Sequence, residues 1–311
     1  MAFFRIIFFV LAGSLTAALA SADTLGTPYL RLNVSLDQQA FNSHSSFVGW
    51  RGDMPLSDDV ALIYQAEIQL DLALDDTRHI PKRNSYIGVK STWGKLLAGI
   101  HNTPLKTLQT SLDVFNTNIG DIKYVMLGET REQNLAMYVS PRWSHLQWQF
   151  ATIHYPQTLG QNRHKGFSSA LKYNHRGVFA GVAINRNVVS ANLIEDHFDI
   201  VRLGAGYQFG KTRVGGFLQS ARDGQDAQQH YRQQSWFFSA KHRFNSRWGL
   251  RGQRGFTRDE VAQTTKHQTT LGIDYFLTQH KRFTLFSSTL VQENTTENTL
   301  GLSFEWLWQG R

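Results

Sequence analysis

The side chains that could make or break bonds are poorly placed for it in this sequence. Twelve histidines are scattered over 311 residues, with no H-E-x-x-H pair and no recurring ligand spacing. Cysteine is absent, which excludes disulfides, thiolate-bound zinc and iron–sulfur clusters. No G-x-S-x-G elbow, Walker loop or dinucleotide glycine pattern occurs. His44-Ser45-Ser46 is a lone His–Ser neighbour run, and adjacent residues on a strand point apart, so it makes no dyad. The expectation is a protein that is not an enzyme and has no catalytic residue, metal ligand or cofactor. Its excess is of charge: 32 Lys+Arg against 24 Asp+Glu, a formal net charge of +8. Those charges are dispersed rather than clustered, which argues against nucleic acid as a partner.

The charges lie on segments that alternate with period two. Leu30-Arg31-Leu32-Asn33-Val34-Ser35-Leu36 takes apolar and polar residues in turn, as do residues 60–70, 145–154, 270–277 and 300–308. A strand sends successive side chains to opposite faces, so each segment has one greasy and one wet face. Sixteen such segments are expected, at 28–36, 46–52, 60–71, 83–91, 94–101, 132–140, 145–155, 166–174, 177–186, 199–209, 212–220, 235–244, 248–256, 266–277, 282–291 and 298–308. Most approach the roughly 9–11 residues that a tilted strand needs to cross a bilayer. Tight turns alternate with longer polar connections at 37–45, 72–82, 156–165, 187–198, 221–234 and 257–265. Short turns on one rim and long loops on the other fit a membrane barrel. A soluble sandwich would also alternate. Against it, the polar face stays polar across many strands, and Trp50, Trp143, Trp236, Trp248, Trp306 and Trp308 sit near strand ends. The fold class read is all-β: a transmembrane antiparallel β-barrel of sixteen strands. No apolar run after the first residues reaches the roughly 20 needed for a helical span.

Met1 to Arg5 is a short basic start, Ile6 to Leu11 an apolar run, and small residues continue to Ala22. This is the pattern of a cleaved export leader. The expected division is a signal peptide over 1–22, cut after Ala22, and one barrel domain over 23–311.

Several strand motifs carry a resemblance. Phe47-Val48-Gly49-Trp50-Arg51-Gly52 is similar to R-F-G-F-K-G, and Ala61-Leu62-Ile63-Tyr64-Gln65-Ala66-Glu67 to K-A-I-F-Q-L-E. Arg83-Asn84-Ser85-Tyr86-Ile87-Gly88-Val89 is similar to R-Q-A-Y-V-G-L. Gly94 to Gly99 followed by Thr103-Pro104 keeps the spacing of G-T-V-T-L-G-R-Q-Y-T-P. Arg131 to Pro141 resembles R-V-D-N-S-V-R-Y-D-S-P, and Asp274-Tyr275-Phe276-Leu277-Thr278 resembles D-Y-x-L-S. In this order the motifs resemble the Gram-negative general porin family. Residues 156–265 join by periodicity alone. The chain departs from the family where Phe47, Ile100 and Met137 replace basic residues, and where Gln309-Gly310-Arg311 follow the last aromatic.

The longest connection runs from His101 to Arg131. Thr103 can cap a helix, Pro104 suits its first position, and Leu105, Leu108, Leu112 and Phe115 recur at helical spacing. The resemblance implies that this third loop folds into the barrel and narrows it; a surface loop touching lipopolysaccharide or a neighbouring subunit is the alternative. By parity the wet face carries Arg31, Arg51, Arg83, Lys90, Arg202, Lys241, Arg243 and Arg251 against Glu67, Asp274 and Glu305. Arg or Lys facing lipid at midplane costs about 2–4 kcal/mol, so these should face water. The constriction is expected to gather Arg31, Arg51, Arg83, Lys90 and Glu67 opposite Asp113 and Asp121 of the loop, giving a transverse field. The expected function is an outer-membrane pore for passive diffusion of small hydrophilic solutes and ions, mildly anion-preferring. Outer-membrane lipid and lipopolysaccharide are its expected surroundings, and the resemblance implies a homotrimer. A substrate-specific uptake channel, an adhesin barrel and an outer-membrane lipid hydrolase are the rivals.

Overall fold

The computed structural model describes residues 26–73, 83–109, 112–155, 164–190, 193–224 and 231–310, so the expected leader lies outside the described residues. The alternating segments form one closed sheet. Its strands are β1 (Thr27–Asp37), β2 (Phe41–Ser43), β3 (Phe47–Ser57), β4 (Val60–Gln69), β5 (Ser85–Ser91) and β6 (Gly94–Asn102). Next come β7 (Arg131–Val139), β8 (Leu146–Tyr155), β9 (His164–His175), β10 (Val178–Ser190), β11 (Leu193–Phe209) and β12 (Thr212–Asp223). β13 (Arg232–Arg243), β14 (Trp248–Asp259), β15 (Thr264–Thr278), β16 (Lys281–Gln292) and β17 (Thr295–Gln309) complete the wall. From β3 onward each strand pairs antiparallel with its chain neighbours. β1 closes the ring on β17, from Tyr29 opposite Gln309 to Asp37 opposite Gly301. β2 and β3 are the two parts of one interrupted strand, both paired with β1. The barrel therefore has sixteen crossings.

Period two is what sets inside from outside. Along β14, Trp248, Leu250 and Arg254 are exposed while Gly249, Arg251 and Gln253 are buried. Outward leucines such as Leu36 (61 % exposed), Leu218 (62 %) and Leu300 (59 %) have no protein cover. Large exposed apolar surface of this extent needs a nonaqueous partner, and around a closed sheet that partner is lipid. Buried polar residues such as Gln219, Ser239, Gln253 and Thr270 fill the inside.

Three expected loops are shorter than read. β10 runs to Ser190 and β11 starts at Leu193; β12 reaches Asp223; β14 ends at Asp259 and β15 begins at Thr264. Above the bilayer both faces of a strand are wet. The hydrophobic period then disappears although the ladder bonds continue, so residues 187–198, 221–234 and 257–265 read as loop.

Candidate functional site

Residues 103–109 and 112–130 fold into the lumen. Thr103 caps helix α1 (Pro104–Thr107), its hydroxyl accepting from the Lys106 N–H at 3.2 Å. The helix is only four residues long, and the other described residues of the loop are turns and irregular backbone with a 3₁₀ segment over Ile122–Tyr124. The apolar spacing nevertheless survives as a single face. Leu105, Leu108, Leu112 and Phe115 are each at most 1 % exposed. With Ile122, Val125, Met126 and Leu127 the loop leucines meet Ala170, Ala183, Phe198, Ile200, Phe217, Ala221 and Phe237 on the wall. The inner wall thus carries an apolar patch on β9–β13 that only the loop covers.

Wall glycines shape the seat. A Cβ built on Gly206 or Gly215 would lie 2.6 or 2.5 Å from Leu112 Cδ2, and one on Gly181 would lie 2.5 Å from Leu108 Cδ1. On Gly255 it would lie 2.5 Å from Val125 Cγ2. Each missing side chain is a socket for a loop residue, because close packing leaves no slack for another methyl. Gly255→Val, where a Cβ comes closer than 3.0 Å to the loop's Val125 alone, is expected to push that part of the loop into the lumen. Lower single-channel conductance with an unchanged heat-resistant barrel in gel electrophoresis is the outcome to look for; unchanged conductance would show the seat to be slack.

Polar bonds fix the loop's height. The Ser239 hydroxyl donates to the Leu112 carbonyl, the Gln253 amide to Gly120, and the Thr257 hydroxyl to Val125. Asn33 Nδ2 donates to the Thr117 carbonyl at 2.8 Å, which ties the loop to β1. The strongest tie is Arg202, fully buried: it donates to Glu129 Oε1 at 2.6 Å, to the Leu127 carbonyl at 2.8 Å and to Gln219 Oε1 at 2.7 Å. Parity correctly turned Arg202 inward, but it is a bolt holding the loop rather than a lumen charge. Burial raises the Glu129 carboxyl above the usual carboxylate range, and Arg202 and Lys106 pull it back down.

The loop acids do not face the lumen. Asp113 accepts from the backbone N–H groups of Phe115 and Ile122 at 3.2 Å each. Asp121 caps the 3₁₀ segment, accepting from Lys123 N–H at 2.9 Å and from Thr117 N–H at 2.6 Å. Both are buried, and burial together with Asp121 holds the Asp113 carboxyl well above its ordinary range. The expectation of an acidic loop rim is corrected accordingly: in a loop without regular hydrogen bonds, these carboxylates satisfy backbone donors that would otherwise be orphaned. The exposed charge on this stretch is Lys123.

The wall supplies the rest. Arg31 pairs with Glu305 at 2.7 Å; Arg282 reaches Glu305 at 3.4 Å and Asp274 at 3.7 Å; Arg251 meets Asp274 at 3.0 Å. Arg83 lies 3.3 Å from Glu67 and over the Phe47 ring, and Tyr29 donates to the same carboxylate at 2.9 Å. Arg51 stands over Tyr29 and donates to Gln309 Oε1. Arg31, Arg51, Arg83 and Glu67 therefore gather in one region around Tyr29 and Phe47. Lys90 does not join them. It pairs with Asp53 at 3.0 Å, beside the short turn 92–93 at the rim opposite the loop. Arg243 staples a turn, donating to the Asn245 and Ser246 carbonyls.

Sequence reading missed the densest basic run. Arg213 is in register with Lys241, and Lys241 with Arg251, on the inward face of β12–β14. Arg282 extends it. Lys241 and Arg251 had been assigned to the wet face, but which strands neighbour at which register is not visible in one strand's alternation. Arg213 and Arg282 lie near strand starts, where alternation was weakest.

A closed sheet with lipid outside, polar groups inside and a loop plugged across the waist defines a transmembrane channel. A model of the Gram-negative porin family matches residues 10–297, and the chain belongs to that family: it is an outer-membrane porin, a water-filled pore for passive diffusion of small hydrophilic solutes. Outer membrane porin protein 32 of Delftia acidovorans is 23 % identical over 242 residues, covering 74 % of this chain and 68 % of that one. The anion-selective porin from Comamonas acidovorans superposes with a TM-score of 0.78 at 17 % identity, covering 91 % of this chain and 98 % of the other. OmpT of Vibrio cholerae in its trimer form gives a TM-score of 0.70 at 13 % identity, with 91 % and 98 % covered.

Proposed function

We propose that this porin prefers anions, and that its waist works by a one-sided field. The observation that carries this is the Arg213–Lys241–Arg251 register ladder facing a loop whose Asp113 and Asp121 carboxylates are turned into its own backbone, with Glu129 held by Arg202. The wall acids Glu67, Asp274 and Glu305 are each held by an arginine, and the lysine and arginine side chains on the inward face of β12–β14 outnumber them there. Arg31, Arg51 and Arg83 with Glu67 form the second charged region of the pore. A relative described as anion-selective supports the same reading. Reversal potentials of the purified protein in a KCl gradient across a planar bilayer test it. A potential of the sign set by chloride is expected, and one set by potassium overturns the proposal.

The protein works by sieving alone, without catalysis, so vesicle lipid should stay intact in its presence. It is active as a homotrimer in contact with outer-membrane lipid and lipopolysaccharide; a solved relative in trimer form supports the oligomer. Residues 1–22 are an export leader removed after Ala22, leaving one barrel domain over 23–311, and N-terminal sequencing of protein from outer membranes should begin at Asp23.

A further inference from the structure

We propose that the outer face of β9–β14 at the loop-side rim docks the phosphorylated headgroup of an outer-leaflet lipid, with the lipid's acyl chain in the apolar groove beneath. This deepens the lipid partnership proposed above and is independent of the ion preference.

Above the bilayer the outward face of the barrel meets water and lipid headgroups, and there the basic residues cluster on one side. Lys165, Arg186, Arg222, Arg232 and Arg258 all fall on outward positions of their strands near the long-loop rim. Among the described residues only Asp199 and Glu260 oppose them by ion pairs. Asp199 is shared between Arg186 at 2.6 Å and Arg222 at 3.5 Å, and Glu260 pairs with Arg232 at 2.9 Å. Arg222 and Arg232 are direct cross-strand partners, and their side chains are 66 % and 68 % exposed. Like charges directly opposite on one face repel, more so beside a low-dielectric layer. A doubly acceptor-rich anion between them removes the repulsion, and guanidinium forks match phosphate oxygens.

Two hollows continue this row. One of about 570 Å³ has Lys165, Arg186 and Arg222 in its lining with Phe167 and the carboxylates Asp199 and Asp223. The next, about 540 Å³, is lined by Leu203, Leu218, Trp236 and Phe256 together with Arg258 and Glu260. Basic above and apolar below is the complement of an anionic amphiphile seated in the outer leaflet. Among the described residues the far side of the barrel lacks the feature. There the corresponding outward residues are Thr289, Asn298 and Leu36, so the belt is not a general property of the rim. A free anion would have no use for the groove, which is why the occupant is a membrane lipid.

Protein in maltoside micelles, titrated with bis-phosphorylated lipid A and read by native mass spectrometry, tests this. The Arg222→Gln/Arg232→Gln variant is expected to bind about thirtyfold more weakly, from roughly fivefold for each basic residue at an anionic membrane surface. Arg222→Lys/Arg232→Lys should keep most of the binding, and both variants should keep wild-type conductance, which shows that the barrel is folded. Dephosphorylated lipid A should bind as weakly to the wild type as lipid A binds to the double Gln variant. Equal binding of lipid A by wild type and double Gln variant overturns the proposal. So does equal binding of the dephosphorylated lipid, or full displacement of lipid A by millimolar inorganic phosphate. If every lipid arm fails while the barrel still conducts in phosphatidylcholine bilayers, the headgroup site falls and the membrane assignment stands.

Discussion

Arg202→Met should release the inner loop and give a wider, noisier channel that opens further as pH rises. The buried guanidinium of Arg202 is the partner of Glu129 and of the Leu127 carbonyl. Removing one member of a buried pair leaves the other charge uncompensated, at a cost of about 3–5 kcal/mol. That is a large share of what can hold a loop of turns and one four-residue helix against the wall. The hydrogen bonds from Ser239, Gln253 and Thr257 are neutral and individually contribute about 1 kcal/mol, while Arg251 to the Val114 carbonyl at 2.6 Å and Lys172 to the Thr107 carbonyl at 3.1 Å are the other charged ties. The sign of the pH effect follows from Glu129. Its carboxyl is already raised by burial and held down chiefly by Arg202, so losing Arg202 raises it further in the docked loop. A docked-state value above the free one means that docking is favoured below the free value and lost as pH rises through the docked value. Single-channel conductance and sugar-size cut-off in liposome swelling should both increase with pH in the variant. Adding Glu129→Met should restore the wild-type conductance, because an apolar pair of similar size replaces the ion pair. A variant indistinguishable from wild type at every pH would show that the apolar face alone seats the loop.

That division of labour marks where sequence is informative. All sixteen crossings could be read because alternation is a direct image of the lipid–water boundary; Leu300, Leu302 and Phe304 against Gly301, Ser303 and Glu305 leave one arrangement. The apolar face of the inner loop was legible for the same reason. The start of its helix was legible too, with Thr103 capping and Pro104 first, but not its four-residue length, because Leu105, Leu108, Leu112 and Phe115 keep helical spacing while being held by the wall rather than by helical hydrogen bonds. Gly206 and Gly215 carry no period and no charge, and their role exists only once Leu112 arrives from another part of the chain. Asp113 and Asp121 were misjudged because a carboxylate in a polar loop reads the same whether it faces water or its own backbone. The outward Arg222 and Arg232 fell in residues read as loop, where parity was not applied.

The second large effect is on ion choice. Arg213→Glu/Lys241→Glu should reverse the channel from anion- to cation-preferring. Both residues are on the inward face of adjacent strands, and Lys241 is in register with Arg213 on one side and Arg251 on the other. The substitution changes the wall by four unit charges at one level of the lumen. A unit charge about 4 Å from a hydrated ion contributes about 1 kcal/mol even at the dielectric constant of water, or about fivefold in occupancy. Two charge reversals therefore exceed what a mild preference can absorb. The new carboxylates would pair with Arg251 and Arg282, which also removes the field of those two. The zero-current potential in a tenfold KCl gradient should change sign, and the shift should shrink as ionic strength rises past the point where the screening length falls below the lumen radius. Glutamine at both positions should give an intermediate value, since it removes the positive charges without adding negative ones. If the double glutamate variant keeps the wild-type potential while its conductance shows an intact pore, the selectivity lies elsewhere, in the Arg31 and Arg83 region around Glu67.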